Sequence, residues 1–451
     1  MRGRAALLVL VVACRSTPTQ VTLPPASSAA MVVTPAKESW IENDYTAALA
    51  RARAENKPLF VDAWATWCHT CRAMRAYVLT EELLPRGRFV WLSMDIEKPE
   101  NERACAHLPT AALPTFFVLD PRDERVLARW EGAASSAQMR TFLADAEHAM
   151  AVGDGGAADP LLAALAAADH AELEGRHADA AKLFGDVLAS APASWARRPD
   201  VLVSRIDALA RAKDDGACVE LGLGSLSATG TSSSATDFAS AAVDCSERLP
   251  KDPRSHALHT SVAARLTTLL ADATAPLSPD DRSDGYRLLW DVRLRLGDPK
   301  GAAEAAQERL RVLDDATSKV KEPDIATLFD GARLETLLFL RRAKDAVAFL
   351  EAREKELPDD YNVPHRLGRA YLEDGRAADA LLATDRALGK AYGPRKGLIY
   401  ALRAEIYVKL GRPADARAAV ASQLDLYRSL PPGQRRPALE KATEDRLAHM
   451  R

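Results

Sequence analysis

The sequence predicts an α/β domain with a central sheet and helices on both faces, followed by an all-α array of helical repeats. Three observations carry this. The stretch Trp64-Ala65-Thr66-Trp67-Cys68-His69-Thr70-Cys71 sets two cysteines directly after an apolar run (58–63) and directly before a helical one (72–79). Four of the seven tryptophans (Trp40, Trp64, Trp67, Trp91) lie in the first hundred residues, so the strand-rich part is N-terminal. Beyond residue 160 the chain is rich in Ala and Leu and repeats itself with a period near 34 residues.

At 451 residues the chain is too long for one ordinary domain. Its formal net charge of −3 gives no argument for a nucleic-acid partner. At the N-terminus, Arg2 and Arg4 precede a short apolar core at 5–13, well below the roughly 20 residues that span a bilayer. The core ends in Val11-Val12-Ala13-Cys14, which resembles the lipobox of bacterial lipoproteins. That resemblance implies a signal peptide at 1–13, cleavage before Cys14 and a lipid anchor on Cys14. A plain secretory signal or a mis-set start codon are the alternatives. Arg15 is not the aspartate linked to inner-membrane retention, so the expectation is the periplasmic side of the cell envelope, on the outer membrane. Residues 14–37, rich in Ser, Thr, Pro and Ala, read as a disordered tether.

Residues 38–150 alternate between strand and helix patterns. Helices are expected at 45–56, 68–82, 101–107 and 136–150, and strands at 59–63, 89–95, 115–120 and 126–130. A strand that delivers Cys68 to the start of a helix makes a reactive thiol, because unpaired N–H groups and the helix dipole stabilise the thiolate there. Cys68 is the expected nucleophile. Cys71, one turn on, is the expected resolving thiol. A histidinium at His69 would favour the thiolate further; His69 as a solvent-facing bystander is the alternative. No second cysteine pair or Cys/His pair at ligand spacing follows, so no metal is expected, and no cofactor beyond a redox-active Cys68–Cys71 disulfide.

The segment Val61-Asp62-Ala63-Trp64-Ala65-Thr66-Trp67-Cys68, the Leu113-Pro114-Thr115 turn and Gly132 together resemble the thioredoxins. The opening at 45–58 resembles the thioredoxin-like domains of DsbD-type periplasmic reductases. The resemblance implies a thioredoxin-like mixed sheet and a thiol–disulfide oxidoreductase acting on protein thiols and disulfides, with a protein electron donor or oxidant. It implies that Asp62 is a buried acid serving the resolving thiol, that Pro114 is a cis-proline, and that Trp67, His69, Thr70 and Leu113 contact substrate. The chain departs from thioredoxins in carrying His69-Thr70 between the cysteines, where that family has Gly-Pro, and this leaves the direction of electron flow open.

After a Gly- and Asp-rich linker at 151–160, residues 161–451 resemble tetratricopeptide repeats. The residues that carry this are Gly175, Ala180 and Phe184; Gly297 and Ala302; Ala346, Leu350 and Pro358; Leu367, Gly368, Tyr371, Gly375, Ala380 and Ala387; and Ala404, Tyr407, Gly411 and Ala416. The repeat implies a solenoid whose inner face holds peptides or proteins; a structural spacer is the alternative. Residues 221–240 break the period and read as a loop or an irregular repeat. Cys218 and Cys245 either form a structural disulfide across it or stay buried thiols, and Cys105 either traps a mixed disulfide or is a buried apolar thiol. A repeat scaffold whose redox module is inert or sensing is the second functional expectation.

Overall fold

The computed structural model describes residues 40–80, 83–84, 87–153 and 159–450. The export signal, Cys14 and the tether lie outside the described residues. No helix among the described residues is long and apolar enough to cross a membrane.

The N-terminal domain is a five-stranded mixed sheet. Strands β1 (Trp40–Glu42), β2 (Leu59–Trp64), β3 (Val90–Asp95), β4 (Thr115–Leu119) and β5 (Val126–Glu131) lie in the order β1-β3-β2-β4-β5. The first three run parallel; β4 is antiparallel to β2, and β5 to β4. Helices α1 (Tyr45–Glu55), α2 (His69–Ala73), α3 (Glu102–His107) and α4 (Ser136–Gly153) cover the two faces. Because side chains alternate along a strand, Phe60, Trp91, Phe116 and Trp130 bury toward α4 while Leu59, Val61, Leu92 and Phe117 bury toward α1 and α3.

Two details differ from the sequence expectation. Strand β1 was not foreseen: three residues are too few for a periodic signal. The helix expected at 68–82 is a five-residue α-helix that widens into a π-helical turn, Met74–Val78, and closes at Leu79.

The remainder is a tetratricopeptide-like solenoid of antiparallel helix pairs. Pro160–Leu173 packs on His177–Ser190, Arg198–Arg211 on Asp215–Ser225, Pro279–Arg295 on Pro299–Lys319, Asp330–Phe339 on Ala343–Glu356, Asn362–Glu373 on Ala377–Leu388, and Lys396–Lys409 on Pro413–Ser429. In every one of these pairs the turn passes through a residue of positive φ: Gly175, Lys213, Gly297, Arg341, Gly375 and Gly411. A left-handed residue just past a helix end terminates the helix and satisfies its last carbonyls. Residues 221–240 turn out to be the irregular repeat, helical except for the short turn around Gly230. Across the two helices that flank that turn the structure bonds Cys218 to Cys245. A Cβ on Gly222 would come within 2.7 Å of the Ala242 side chain, so glycine is what lets these two helices close.

Repeats along the whole solenoid touch the α/β domain. Gln138 bonds Ser234 at 2.9 Å, Arg211 pairs with Glu131, Tyr392 bonds Asp95 at 2.6 Å and Gln434 bonds the Ile96 carbonyl at 3.2 Å. A shared apolar cluster joins Ala73 and Ala76, behind the cysteines, to Leu313, Ala316, Leu328, Phe329 and Ala332 of the solenoid. The repeats therefore dock a domain of their own chain.

Two outcomes follow for stability. Phe329→Ala should lower the unfolding free energy by about 3–5 kcal/mol, measured by denaturant titration with tryptophan fluorescence; a loss below about 1 kcal/mol would mean that the cluster is not a shared core. Replacing Cys218 and Cys245 together by alanine should cost about 3 kcal/mol, the loop-closure contribution of a bridge of this span, while leaving Cys68–Cys71 exchange with a small dithiol intact.

Candidate active site

Strand β2 ends at Trp64, and a four-residue turn brings the chain to Cys68, which caps α2. The Cys71 amide donates to Cys68 Sγ at 3.0 Å. The two cysteines are joined as a disulfide, Cys68 is 4% and Cys71 1% exposed, and Trp64, Trp67, Ile96 and Leu113 pack around them. The same amide that supports the disulfide would donate to a Cys68 thiolate after reduction, which lowers the thiol's pKa. The Leu113–Pro114 peptide is cis, and the Pro114 carbonyl accepts from the Gly132 amide at 2.9 Å.

Asp62 lies on β2, on the face that looks toward α2. Glu42, Ser93 and Asp62 stand in one register row across β1, β3 and β2. Arg75, from the π-helical turn, closes over this row. Its guanidinium donates to Asp62 Oδ2 and to Ser93 Oγ, each at 2.7 Å, and lies 3.9 Å from the Trp64 ring centre. Burial pushes the Asp62 carboxyl above the usual range against the pull of Arg75. Its second oxygen, Oδ1, is buried without a hydrogen-bond partner. An acid held by one oxygen with the other free is equipped to take a proton from a neighbouring group.

His69 is half-buried. Its Nδ1 lies 3.0 Å from Asp280 Oδ1 and 4.0 Å from Asp284 Oδ2, both on the solenoid helix Pro279–Arg295. Asp280 raises the His69 pKa to about 10, over the opposing effect of burial. His69 is therefore an imidazolium at neutral pH, next to Cys68 in the chain. His69, Asp280 and Asp284 place one ligand atom each within 4.8 Å of one another. A cation there would have to displace the Nδ1 proton that Asp280 holds, so the trio reads as an ion pair.

Trp67 walls the disulfide on one side and carries Arg395 of the solenoid over its ring at 4.7 Å. Glu97 is buried beneath the same group and pushed up to about 7 by that burial. Thr66 bonds the Tyr361 hydroxyl at 3.2 Å, and Thr70 Oγ1 lies 3.4 Å from His69 Nδ1. Cys105 is a buried free thiol, pushed up to about 11 by burial, with Sγ 3.7 Å from the Ile96 carbonyl. Burial outweighs the pull of Arg436, which keeps this thiol protonated at neutral pH.

Sequence reasoning missed Arg75, Glu97, Asp280, Asp284 and Arg395. Arg75 carried a signal, since it lies one turn past Cys71 and a buried carboxylate needs a counter-charge. Asp280, 211 residues from His69, carried none.

Residues 40–121 match the thioredoxin-like family. The chain is 30% identical over 92 residues to a thioredoxin of Mycolicibacterium smegmatis, which is 20% of this chain and 80% of that protein. It is 30% identical over 88 residues to an H-type thioredoxin of Chlamydomonas reinhardtii, 20% of this chain and 72% of that one. Through this domain the chain belongs to the thioredoxin-like family. A solved tetratricopeptide repeat protein of Parabacteroides merdae is similar over 64% of this chain and 99% of its own, at 10% identity and a TM-score of 0.41.

The His69–Asp280 pair has a pH signature. A histidine whose folded pKa is raised adds stability that is complete below its ordinary value of 6.5 and is lost as pH rises through about 10. Ring-proton NMR should place the His69 titration near 10 in the native chain and back toward 6.5 in Asp280→Asn. Equal midpoints in the two proteins would show that Asp280 does not hold the proton.

Proposed function

We propose that this protein is a thiol–disulfide oxidoreductase that exchanges disulfides with protein substrates at Cys68–Cys71. The observation that carries the reading is a helix-capping Cys68 paired with Cys71, beside a buried Asp62 with one unpartnered oxygen and a cis Pro114.

In the reducing direction the Cys68 thiolate attacks a substrate sulfur. A Cys68–substrate disulfide forms, the substrate S–S bond breaks, and the released sulfur leaves as a thiolate that takes a proton from solvent. Cys71 then gives its proton to Asp62 and attacks Cys68 Sγ. The Cys68–Cys71 bond forms and the second substrate thiolate departs. Two electrons pass from the dithiol to the substrate, and the reverse sequence oxidises a substrate dithiol. The His69 imidazolium stabilises the Cys68 thiolate before it attacks and, in the reverse direction, as it is finally released, which favours the reduced form of the pair. Pro114 and Leu113 offer backbone to an extended substrate segment beside the sulfurs. A redox protein, donor or oxidant, resets the pair.

The site is proposed to work in the cell envelope on the periplasmic side, with the chain anchored through lipid on Cys14 at the outer membrane. The residue pattern at 1–14 supports this, and so does a second, buried disulfide, since such bonds persist where the compartment is oxidising. A second reading, a repeat scaffold with a sensing or inert redox module, is favoured by the near-complete coverage of Cys68.

Insulin reduction separates the two readings. The native chain should accelerate precipitation of the insulin B chain. Cys68→Ser should abolish it, and Cys71→Ser should abolish turnover while accumulating a mixed disulfide on Cys68. A native rate no higher than that of the double serine variant would leave the scaffold reading standing.

A further inference from the structure

The active-site loop and the solenoid enclose a cleft of about 560 Å³. Trp67 and His69, the two neighbours of Cys68, stand on one side of it. Arg309, Arg366, Arg369 and Arg395 line the rest, with two acids, Glu335 and Glu405, among them. The acids are already committed: Glu335 pairs with Arg309 and Glu405 with Arg369, each at 2.6 Å. Among the described residues Arg366 donates to the Thr327 carbonyl, at 3.4 Å, and to no carboxylate. Arg395 lies over Trp67 with its Nε buried and without a hydrogen-bond partner. The acid facing Arg395 is Glu97, which burial holds at about 7 and so only partly charged at neutral pH. His365, in the same wall, is pushed down to about 3 by burial and then by Arg395, Arg366 and Arg369. Asp280 and Asp284 sit at the far side of His69 and are engaged with it. Two guanidinium groups are thus crowded together beside the active-site loop, neither of them in an ion pair among the described residues, with the buried Glu97 as the acid that faces Arg395. Desolvated like charges are costly unless an anion completes them.

We propose that this cleft binds an anionic thiol or disulfide of peptide size, its carboxylates held by Arg366 and Arg395 and its sulfur delivered to Cys68. The proposal rests on the oxidoreductase reading and names the substrate class of that site. The cleft has the volume of a small-molecule site and does not admit a folded protein. Guanidinium groups suit carboxylates because they offer paired N–H donors in one plane. Arg395 also ties the ligand to the chemistry, since its guanidinium stacks on Trp67, directly before the nucleophile.

The exchange is the one already written. Cys68 bonds one half of the substrate disulfide, the other half leaves as a thiolate, and Cys71 releases the first half by closing Cys68–Cys71. With prereduced protein a single turnover needs no further reductant.

The test uses the full chain, prereduced, in stopped flow with tryptophan fluorescence as the readout. It is mixed with 3,3′-dithiodipropionate (dianionic), bis(2-hydroxyethyl) disulfide (neutral) and cystamine (dicationic), each rate being divided by that of the same disulfide with a free dithiol. The normalised dianion rate should exceed the dication rate by at least about tenfold at low salt and lose that lead as salt is added. Arg366→Gln and Arg395→Gln should each shrink the ratio, and Arg366→Lys should keep most of it. A further arm uses the disulfide of a short acidic cysteine peptide. Preference for this peptide and the small dianion alike assigns the cleft to free small thiols, and preference for the peptide alone assigns it to acidic chain segments; both carry the proposal. Normalised rates within about twofold of each other across the three charges, or a preference unchanged in both glutamine variants, overturn it. If the native chain reacts with none of the disulfides, the neutral one included, the oxidoreductase reading itself falls.

Discussion

The contact between the helix that begins at Cys68 and the inner face of the solenoid is the constraint on which the other features depend. In an isolated α/β domain this helix would pack on the sheet with one face and meet water with the other. Here the second face carries Ala73 and Ala76, small enough for Phe329 and Leu328 to close onto them. Because that face is sealed, every polar group at the start of the helix must find its partner in the solenoid or remain unpaired in a dry setting. His69 finds Asp280, Thr66 finds Tyr361 and Trp67 finds Arg395. The environment of Cys68 is therefore assembled from two domains, and neither alone contains it.

Charge follows from this arrangement. One side of the active-site loop faces carboxylates, Asp280 and Asp284, and the other faces guanidinium groups, Arg366 and Arg395. His69 keeps its proton because Asp280, helped by Asp284, outweighs both burial and the opposing Arg309. On the sheet side of the same helix, Arg75 ties Asp62 to Ser93, and Ser93 donates to Glu42 at 2.5 Å. A buried acid so tethered stays in place, with Oδ1 left unpartnered. His69, next to Cys68, and the buried Asp62 are thus held from different sides, one by the solenoid and one by the sheet.

How much of this was legible in the sequence depended on distance along the chain. Strand β2, the helix after it and the turn at Pro114 could be read because each has a local pattern: an apolar run, a cysteine spacing, a proline before a β-rich stretch. The repeats could be read wherever glycine supplies the left-handed turn, as at Gly175, Gly297, Gly375 and Gly411. They blurred where Lys213 and Arg341 take the same conformation without glycine's signal. Strand β1 was too short to show a period, and the π-helical turn at 74–78 has no residue signature of its own. The pairing of His69 with Asp280 was not legible at all. Asp280 stands in the first turn of a helix after the capping Ser278, where an acid is expected for purely local reasons.

The two disulfides show how position decides chemistry. Cys218 and Cys245 are wholly buried at the crossing of two helices that Gly222 and Ala242 bring together. Cys245 lies near the C-terminus of its helix, where the dipole opposes a thiolate, and the Cys218 sulfur is 3.7 Å from the Ala241 carbonyl. Cys245 Sγ accepts from the Arg248 guanidinium at 3.3 Å, but among the described residues neither sulfur has a backbone amide donor or a cis-proline turn beside it. Cys68 has the reverse of each: a helix N-terminus, the Cys71 amide at 3.0 Å, the His69 imidazolium, Asp62 across the sheet face and Pro114 opposite. Attack on a disulfide needs a stabilised leaving thiolate and room for an approaching sulfur. The first bond is wholly buried, offers no such room and serves as a staple. The second holds a sulfur at a helix terminus, next to Trp67 and His69, which border the arginine-lined cleft, so the two bonds differ in the one property that exchange requires, access.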